Sequence, residues 1–402
     1  MQSYVDIGNM TSFFTRMGIA MRPNVRPALT QIFADFTTGT RLANYVAPSA
    51  DARTEALRRY LAVAETFLPV LEPGWWNFPA PKDIPPDLLL PFRDFVAKHN
   101  LTSGVPQIFA TTGFGMHDIM GSLTLWVMRS FNVDMVRTLL GINPGFVPVG
   151  TNQDLYTAIL KRLEPDILLS TTVIASKRTP NDGGVNLLVQ NSETCKTTRI
   201  SARRLLFTIP PTAANTASFN LDDVETDVLN SFNYSVSYVG VVSHPSLPTN
   251  TSIVNTPAAA QGSNFAAVIP AFPYNTRFDN YANSSFYRVI VVGDQRSFAD
   301  DEQARRTVTD GFDRLVESGV IHVDQKGSQR REGELKFHLF TSHGMVNAWV
   351  PREVLESGFI QRLNALQGRR STWYTGAAWS VHISTSLWIF TDTLLGRLVL
   401  GL

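Results

Sequence analysis

Near the C-terminus, Leu366-Gln-Gly-Arg-Arg-Ser-Thr-Trp-Tyr-Thr-Gly376-Ala-Ala-Trp-Ser380 reads as a strand ending in glycine, with Ser384 and Ser386 placed to open a helix behind it. Glycine lets backbone come close to a bound group. Unpaired N–H groups at a helix start stabilise negative charge on it. An ordinary strand–turn–helix is the plainer alternative. Further back, the stretch from Gly150 to Thr212 runs glycine, capped helix, a strand with Val173-Ile174, a hairpin, then Leu205-Leu-Phe-Thr-Ile-Pro210-Pro-Thr212. The paired prolines end that strand, because a central strand cannot continue through them; a generic three-stranded meander fits the same pattern. Tyr238, Trp379, His382 and Trp388 are candidates to line an apolar pocket, although packing into a core is the commoner role of such residues.

Other chemistries find little support. Cys195 is the only cysteine, which excludes an intramolecular disulfide and a multi-thiolate metal site. His338 and His343 stand five apart on a strand-to-loop stretch, unlike a helical zinc pair, and no metal is expected. His117-Asp118 is an isolated dipeptide. Gly-x-Ser-x-Gly and the phosphate-binding Gly-Lys-Ser/Thr loop are missing from the sequence. Gly113-Phe-Gly115 has only two of the three glycines of a dinucleotide loop, with Asp118 in the third place, and reads as a turn.

Apolar residues make up 44% of the 402 and charged residues 17%, a balance that builds a substantial core. Thirty-five Lys and Arg face 34 Asp and Glu, and the pairs Arg203-Arg204, Arg330-Arg331 and Arg369-Arg370 are scattered, so no nucleic-acid partner is expected. The five Asn-x-Ser/Thr sequons are weak evidence for secretion in a chain this rich in Asn, Ser and Thr. No run approaches the ~18 apolar residues of a membrane span, and the opening residues lack the regions of a signal peptide.

These candidates need elements to hold them. Thr11 and Gly18 bracket a short helix, and Leu57, Leu61, Ala64 and Leu68 form one side of a longer helix over 51–68. Further helices are expected at 92–99, 118–129 and 133–140, so the first 145 residues read as mainly helical. Thr151 and Asp154 mark a capping box. Strands follow over 167–175, 185–190 and 200–209, then from Tyr234, and over 265–273, 286–292 and 336–341. Ser297 or Asp300 opens an amphipathic helix; the tail holds a helix near 351–366, a strand at 372–375 and a last helix from Ser384.

The tail resembles the closing FAD motif of flavin amine oxidases, and the Gly150–Thr212 stretch resembles their second FAD-contacting segment. The resemblance implies FAD as cofactor, with Val173, Pro210, Gly376, Ala377, Ala378, Trp379, Ser384 and Ser386 around it, and Tyr238, His382 and Trp388 toward the substrate. Gly358-Phe-Ile-Gln-Arg-Leu-Asn-Ala-Leu-Gln-Gly368, Gly376-Ala-Ala-Trp379 and Trp388-Ile-Phe-Thr-Asp392 look like the β-cyclopiazonate dehydrogenase family in particular. That implies oxidation, often with ring closure, of an apolar terpenoid, polyketide or indole scaffold in fungal secondary metabolism, with molecular oxygen as acceptor.

The expected fold is therefore mixed α/β, an amine-oxidase-like two-domain architecture lacking its first βαβ unit. FAD-domain segments fall at 1–8, 146–215 and 351–402, a mainly helical insertion at 9–145 and an antiparallel-sheet substrate domain at 216–350. The missing unit of about 30 residues carries the pyrophosphate loop and is expected before Gln2. Ala377 replaces the acidic residue of many amine oxidases, and the stretch Ser237–His244 has no lysine, so amine oxidation itself does not carry over. A flavin-free module that only binds hydrophobic ligands is the alternative, and a redox-neutral flavin isomerase a third.

Overall fold

The computed structural model describes residues 3–25, 28–112, 116, 118–179, 183–261, 268–281, 284–322, 334–381 and 383–400. Its largest sheet has six strands in the spatial order Lys336–Trp349, Asn233–Ser243, Tyr287–Asp294, Tyr274–Asn280, Thr251–Asn255 and Thr30–Ala34. Neighbours are antiparallel except the last pair, which is parallel. Side chains alternate between the faces of a strand, and register decides which residues share a face. Ile32, Ile253, Phe278, Val289, Tyr238 and Val242 pack under the amphipathic helix Asp301–Glu317. Asp300 caps that helix by accepting from the Gln303 amide at 2.8 Å, worth about 1 kcal/mol.

The opposite face carries Ile290, Val292 and Tyr274 into the main core, and Phe33, Val254 and Arg277 lie side by side on it. Covering helices come mostly from the first third of the chain. Ala50–Glu65 is capped by Ser49 and buries Leu57, Tyr60 and Leu61; Phe92–Lys98, Val105–Thr112, Thr124–Ser130 and Val133–Leu139 follow. The expected helix over 118–129 is shorter, beginning at Thr124, and the helix Val105–Thr112 was not expected. The first third is also not purely helical, because Tyr4–Val5 and Met21–Pro23 pair with Gly145–Pro148, and Thr30–Ala34 closes the edge of the large sheet. In place of a strand over 265–273, the structure has Thr251–Asn255 and Tyr274–Asn280, while residues 262–267 lie outside the described residues.

The capping box forms as read: the Thr151 amide donates to Asp154 Oδ2 at 2.8 Å at the head of Asn152–Leu163. Thr171–Arg178, Val185–Asn191 and Thr197–Ala202 make a separate antiparallel sheet, and Leu205–Phe207 pairs in parallel with Thr372–Tyr374. A buried ion pair ties these pieces together. Arg178 donates to both carboxylate oxygens of Glu225, at 2.6 and 2.7 Å, and the Tyr374 hydroxyl donates to the same carboxylate at 2.9 Å. Burial alone would raise the Glu225 carboxyl, but the hydrogen bonds from Arg178 outweigh it and hold the group below the usual range.

Candidate cofactor site

The parallel strand Thr372–Tyr374 delivers the chain to Gly376. Thr375 donates its amide to the Phe207 carbonyl at 3.0 Å, and Gly376 then turns with φ of 119°. Only glycine takes that conformation without strain. The next carbonyls are clamped from the helical third of the chain. Arg129 donates to Ala377 O at 3.3 Å and to Ala348 O at 2.5 Å, while Trp75 Nε1 donates to Ala378 O at 3.1 Å. Trp379 stacks on Tyr374 with centroids 4.8 Å apart.

Arg129 is the site's least expected residue. It is buried between the Trp75 and Trp126 rings, at 5.9 and 5.0 Å, and among the described residues no carboxylate pairs with it. Burial pushes its guanidinium down to about 9. Nearby, Asn132 donates to Ser386 Oγ at 3.0 Å and to Glu72 at 3.4 Å, joining the last helix to a carboxyl that lines a small cavity with Trp75, Arg129, Asn132 and Val381. Burial, with the nearby Asp134 charge adding to it and the Asn132 hydrogen bond opposing it, pushes Glu72 up to about 7.

Among the expected site residues, Gly376, Ala377, Ala378 and Trp379 form the clamped loop. Ser384 begins the helix Ser384–Val399, which has no side-chain cap, and Ser386 joins the Asn132–Glu72 group. Val173 packs partly buried in the three-stranded sheet, and Pro210 is exposed, its carbonyl accepting from Thr212 N and Asn215 Nδ2; neither enters the clamp or the small cavity. Tyr238 lies on the sheet face under helix Asp301–Glu317, stacked on Phe340 at 5.4 Å, opposite the face that bears Arg277. Trp388 packs edge-on to Phe13 at 4.9 Å in the small N-terminal cluster. His382 lies outside the described residues, as do Gly113-Phe-Gly115 and His117. Sequence reading missed Arg129, Glu72, Trp75 and Asn132. The available signal was a single arginine inside the apolar run Leu123-Thr-Leu-Trp-Val-Met-Arg129-Ser-Phe131, since an arginine is seldom fully buried without a task.

No family model matches the chain. Among curated proteins it is 30% identical to the beta-cyclopiazonate dehydrogenase of Aspergillus oryzae over 329 residues, which cover 82% of this chain and 66% of that protein. It is 28% identical to the FAD-dependent oxidoreductase pigF of Monascus ruber, across 97% of this chain and 78% of the relative. Among solved structures, a fatty acid isomerase from P. acnes superposes with a TM-score of 0.68 at 15% identity, over 99% of this chain and 86% of that one. A redesigned putrescine oxidase follows at 0.59 and 10%, over 99% and 91%. The chain is a relative of the FAD-dependent oxidoreductases, on the flavin amine-oxidase fold. The mixed α/β architecture expected from the sequence is thereby borne out, and FAD is the cofactor this relationship indicates.

The clamp's donors are of the kind that would suit the flavin end of that cofactor, which gains negative charge when it accepts electrons. Arg129 Nε, Trp379 Nε1 and Ser380 Oγ are buried there without a hydrogen-bond partner among the described residues. Buried polar atoms of this kind call for a partner; others occur elsewhere in the structure, at Tyr274 and Ser235 for example, and it is the grouping of three around one loop that sets this place apart. The fit stops at the flavin end, since the 402 residues contain no Gly-x-Gly-x-x-Gly to cradle a pyrophosphate. No group of His, Cys, Asp and Glu among the described residues is arranged to hold a metal. No helix among them is long and apolar enough to cross a membrane.

Proposed function

We propose that these residues serve an FAD-dependent oxidoreductase that oxidises, and in some cases cyclises, an apolar secondary metabolite such as a terpenoid, polyketide or indole scaffold, with molecular oxygen as electron acceptor. The observation that carries this reading is the Gly376–Ser380 loop, clamped by Arg129 and Trp75 and holding three orphaned polar atoms beside an uncapped helix start. Bound flavin would supply hydride acceptance, and the protein supplies position and electrostatics.

Residues of the chain have distinct parts in this reading. Arg129 places a fixed positive charge in a dry site, where it favours negative charge on a neighbouring group far more than it would in water. Trp75 and Trp379 exclude water; both are buried. Val173 and Pro210 would serve the more distant nucleotide end. Glu72, poised near neutral pH, is the group able to hold or release a proton beside the loop.

The test is anaerobic mixing of flavin-loaded protein with a panel of terpenoid, polyketide and indole compounds. A substrate should bleach the flavin, and air should restore its colour. Conversion of a compound while the flavin stays oxidised throughout would overturn the oxidoreductase reading. Ligand binding by protein that never takes up flavin would favour the binding-module alternative.

A further inference from the structure

The face of the large sheet opposite helix Asp301–Glu317 borders a second cavity, away from the Gly376 loop in its lining residues. It measures about 110 Å³, comparable with cavities that accept a single aromatic ring. Its walls are mixed: Phe33 and Val254 from the sheet and Val105, Phe109 and Ala110 from helix Val105–Thr112 are apolar, while Gln31, Gln107 and Thr256 add polar groups. Two arginines, Arg53 and Arg277, also line it, and among the described residues no Asp or Glu does.

Arg277 lies in the middle of its strand, beside Val254. Among the described residues neither it nor Arg53 forms an ion pair. The acid nearest in sequence is spoken for, because Asp279 accepts from Arg288 at 2.6 Å and from Ser252. The stretch from Gly262 to Ala267 contains no acidic residue. Asn255, another wall residue, is used on the Phe36 amide and the Asn275 carbonyl. Burial lowers the Arg277 guanidinium from its ordinary range; the nearby Arg288 charge adds to this and the Asp279 charge opposes it without outweighing it.

We propose that this cavity receives the anionic end of an apolar acid, a carboxylate paired with Arg277 and assisted by Arg53, with a ring or chain against Phe33, Phe109 and Val254. A planar guanidinium presents paired N–H donors that match a carboxylate. The proposal deepens the oxidoreductase reading by giving its apolar substrate an acidic group. Binding at this cavity needs no flavin, so the two can fail separately.

The experiment is calorimetric titration of the whole 402-residue chain with benzoate and with benzamide, its neutral counterpart. Benzoate should bind at least about tenfold more tightly than benzamide, Arg277→Gln should weaken benzoate by about ten- to a hundredfold, and Arg277→Lys should fall between. Arg53→Gln should weaken benzoate less. It also keeps the test open if Arg277→Gln fails to fold, which thermal unfolding would reveal. Equal affinity for benzoate and benzamide, no binding of either, or a folded Arg277→Gln protein that binds benzoate like the wild type would overturn the proposal. Failure of flavin bleaching with intact benzoate selectivity would overturn only the redox reading.

Discussion

Replacing Glu225 by glutamine should destabilise the protein by about 3–5 kcal/mol, the loss seen when one partner of a buried ion pair is removed. The magnitude follows from the surroundings. Both side chains are inaccessible, at 1% and 0% exposure, and both guanidinium bonds are short. Glutamine keeps one acceptor and turns an N–H pair toward the Arg178 donors, leaving a buried charge uncompensated. Arg370, 3.3 Å from the same carboxylate, loses its partner too. The double variant Arg178→Met/Glu225→Leu removes the stranded charge but takes the partners from the Phe219 carbonyl, the Tyr374 hydroxyl and the Asp222 amide, at about 1 kcal/mol each, while the Asn220 carbonyl keeps its bond from Arg370. It should therefore recover part of the loss, with a coupling of about 2 kcal/mol or more between the sites. Urea unfolding with matched slopes is the assay. Because the folded carboxyl is held below its ordinary value, its contribution is present above the unfolded pKa and fades as acid protonates the folded form. Glu225→Gln should accordingly flatten the acid limb of the stability profile. A loss under about 1 kcal/mol, or additive effects in the double variant, would refute the reasoning.

Glu72 should show the opposite pH dependence. Its folded pKa of about 7 lies above the ordinary 4.5, so the protein should lose about 3 kcal/mol as pH rises between those values, and Glu72→Gln should abolish that slope in unfolding measured from pH 5 to 8. Gly74 and Gly141 share a φ of 73° but differ in surroundings: an added Cβ at Gly74 would sit 2.4 Å from the Phe390 ring and 2.8 Å from the Trp379 carbonyl, whereas at Gly141 it meets nothing within 4 Å. Gly141→Ala should lose about 1 kcal/mol from conformation alone and Gly74→Ala at least about twice that, read by thermal unfolding; equal losses would contradict the packing described beside Trp379.

Much of the fold was legible because its signals are local. The Thr151 capping box, the Asp300 cap and the strand ending at Gly376 each depend on a few neighbouring residues, and each forms. Strands without alternation were harder. Thr30–Ala34 is short and joins the sheet through a parallel partner more than two hundred positions away, which no local pattern announces. Tyr238 shows a second limit: alternation says that one face is buried but not which, and here both faces are covered. The loop of the candidate site could be read from Gly376 and its neighbours. Its clamp could not, since Arg129 and Trp75 arrive from 248 and 303 positions away through tertiary packing alone.

The central claim, that the Gly376–Ser380 loop and Arg129 hold the flavin end of FAD, is tested most directly by titrating FAD into the purified chain and following the flavin's visible absorbance, for the wild type and Arg129→Gln. The account predicts saturable perturbation of the flavin bands and an affinity at least about tenfold weaker in the folded variant, the scale of one charge-assisted hydrogen bond in a dry site. Unperturbed flavin bands, or equal affinity in the two proteins, would contradict it.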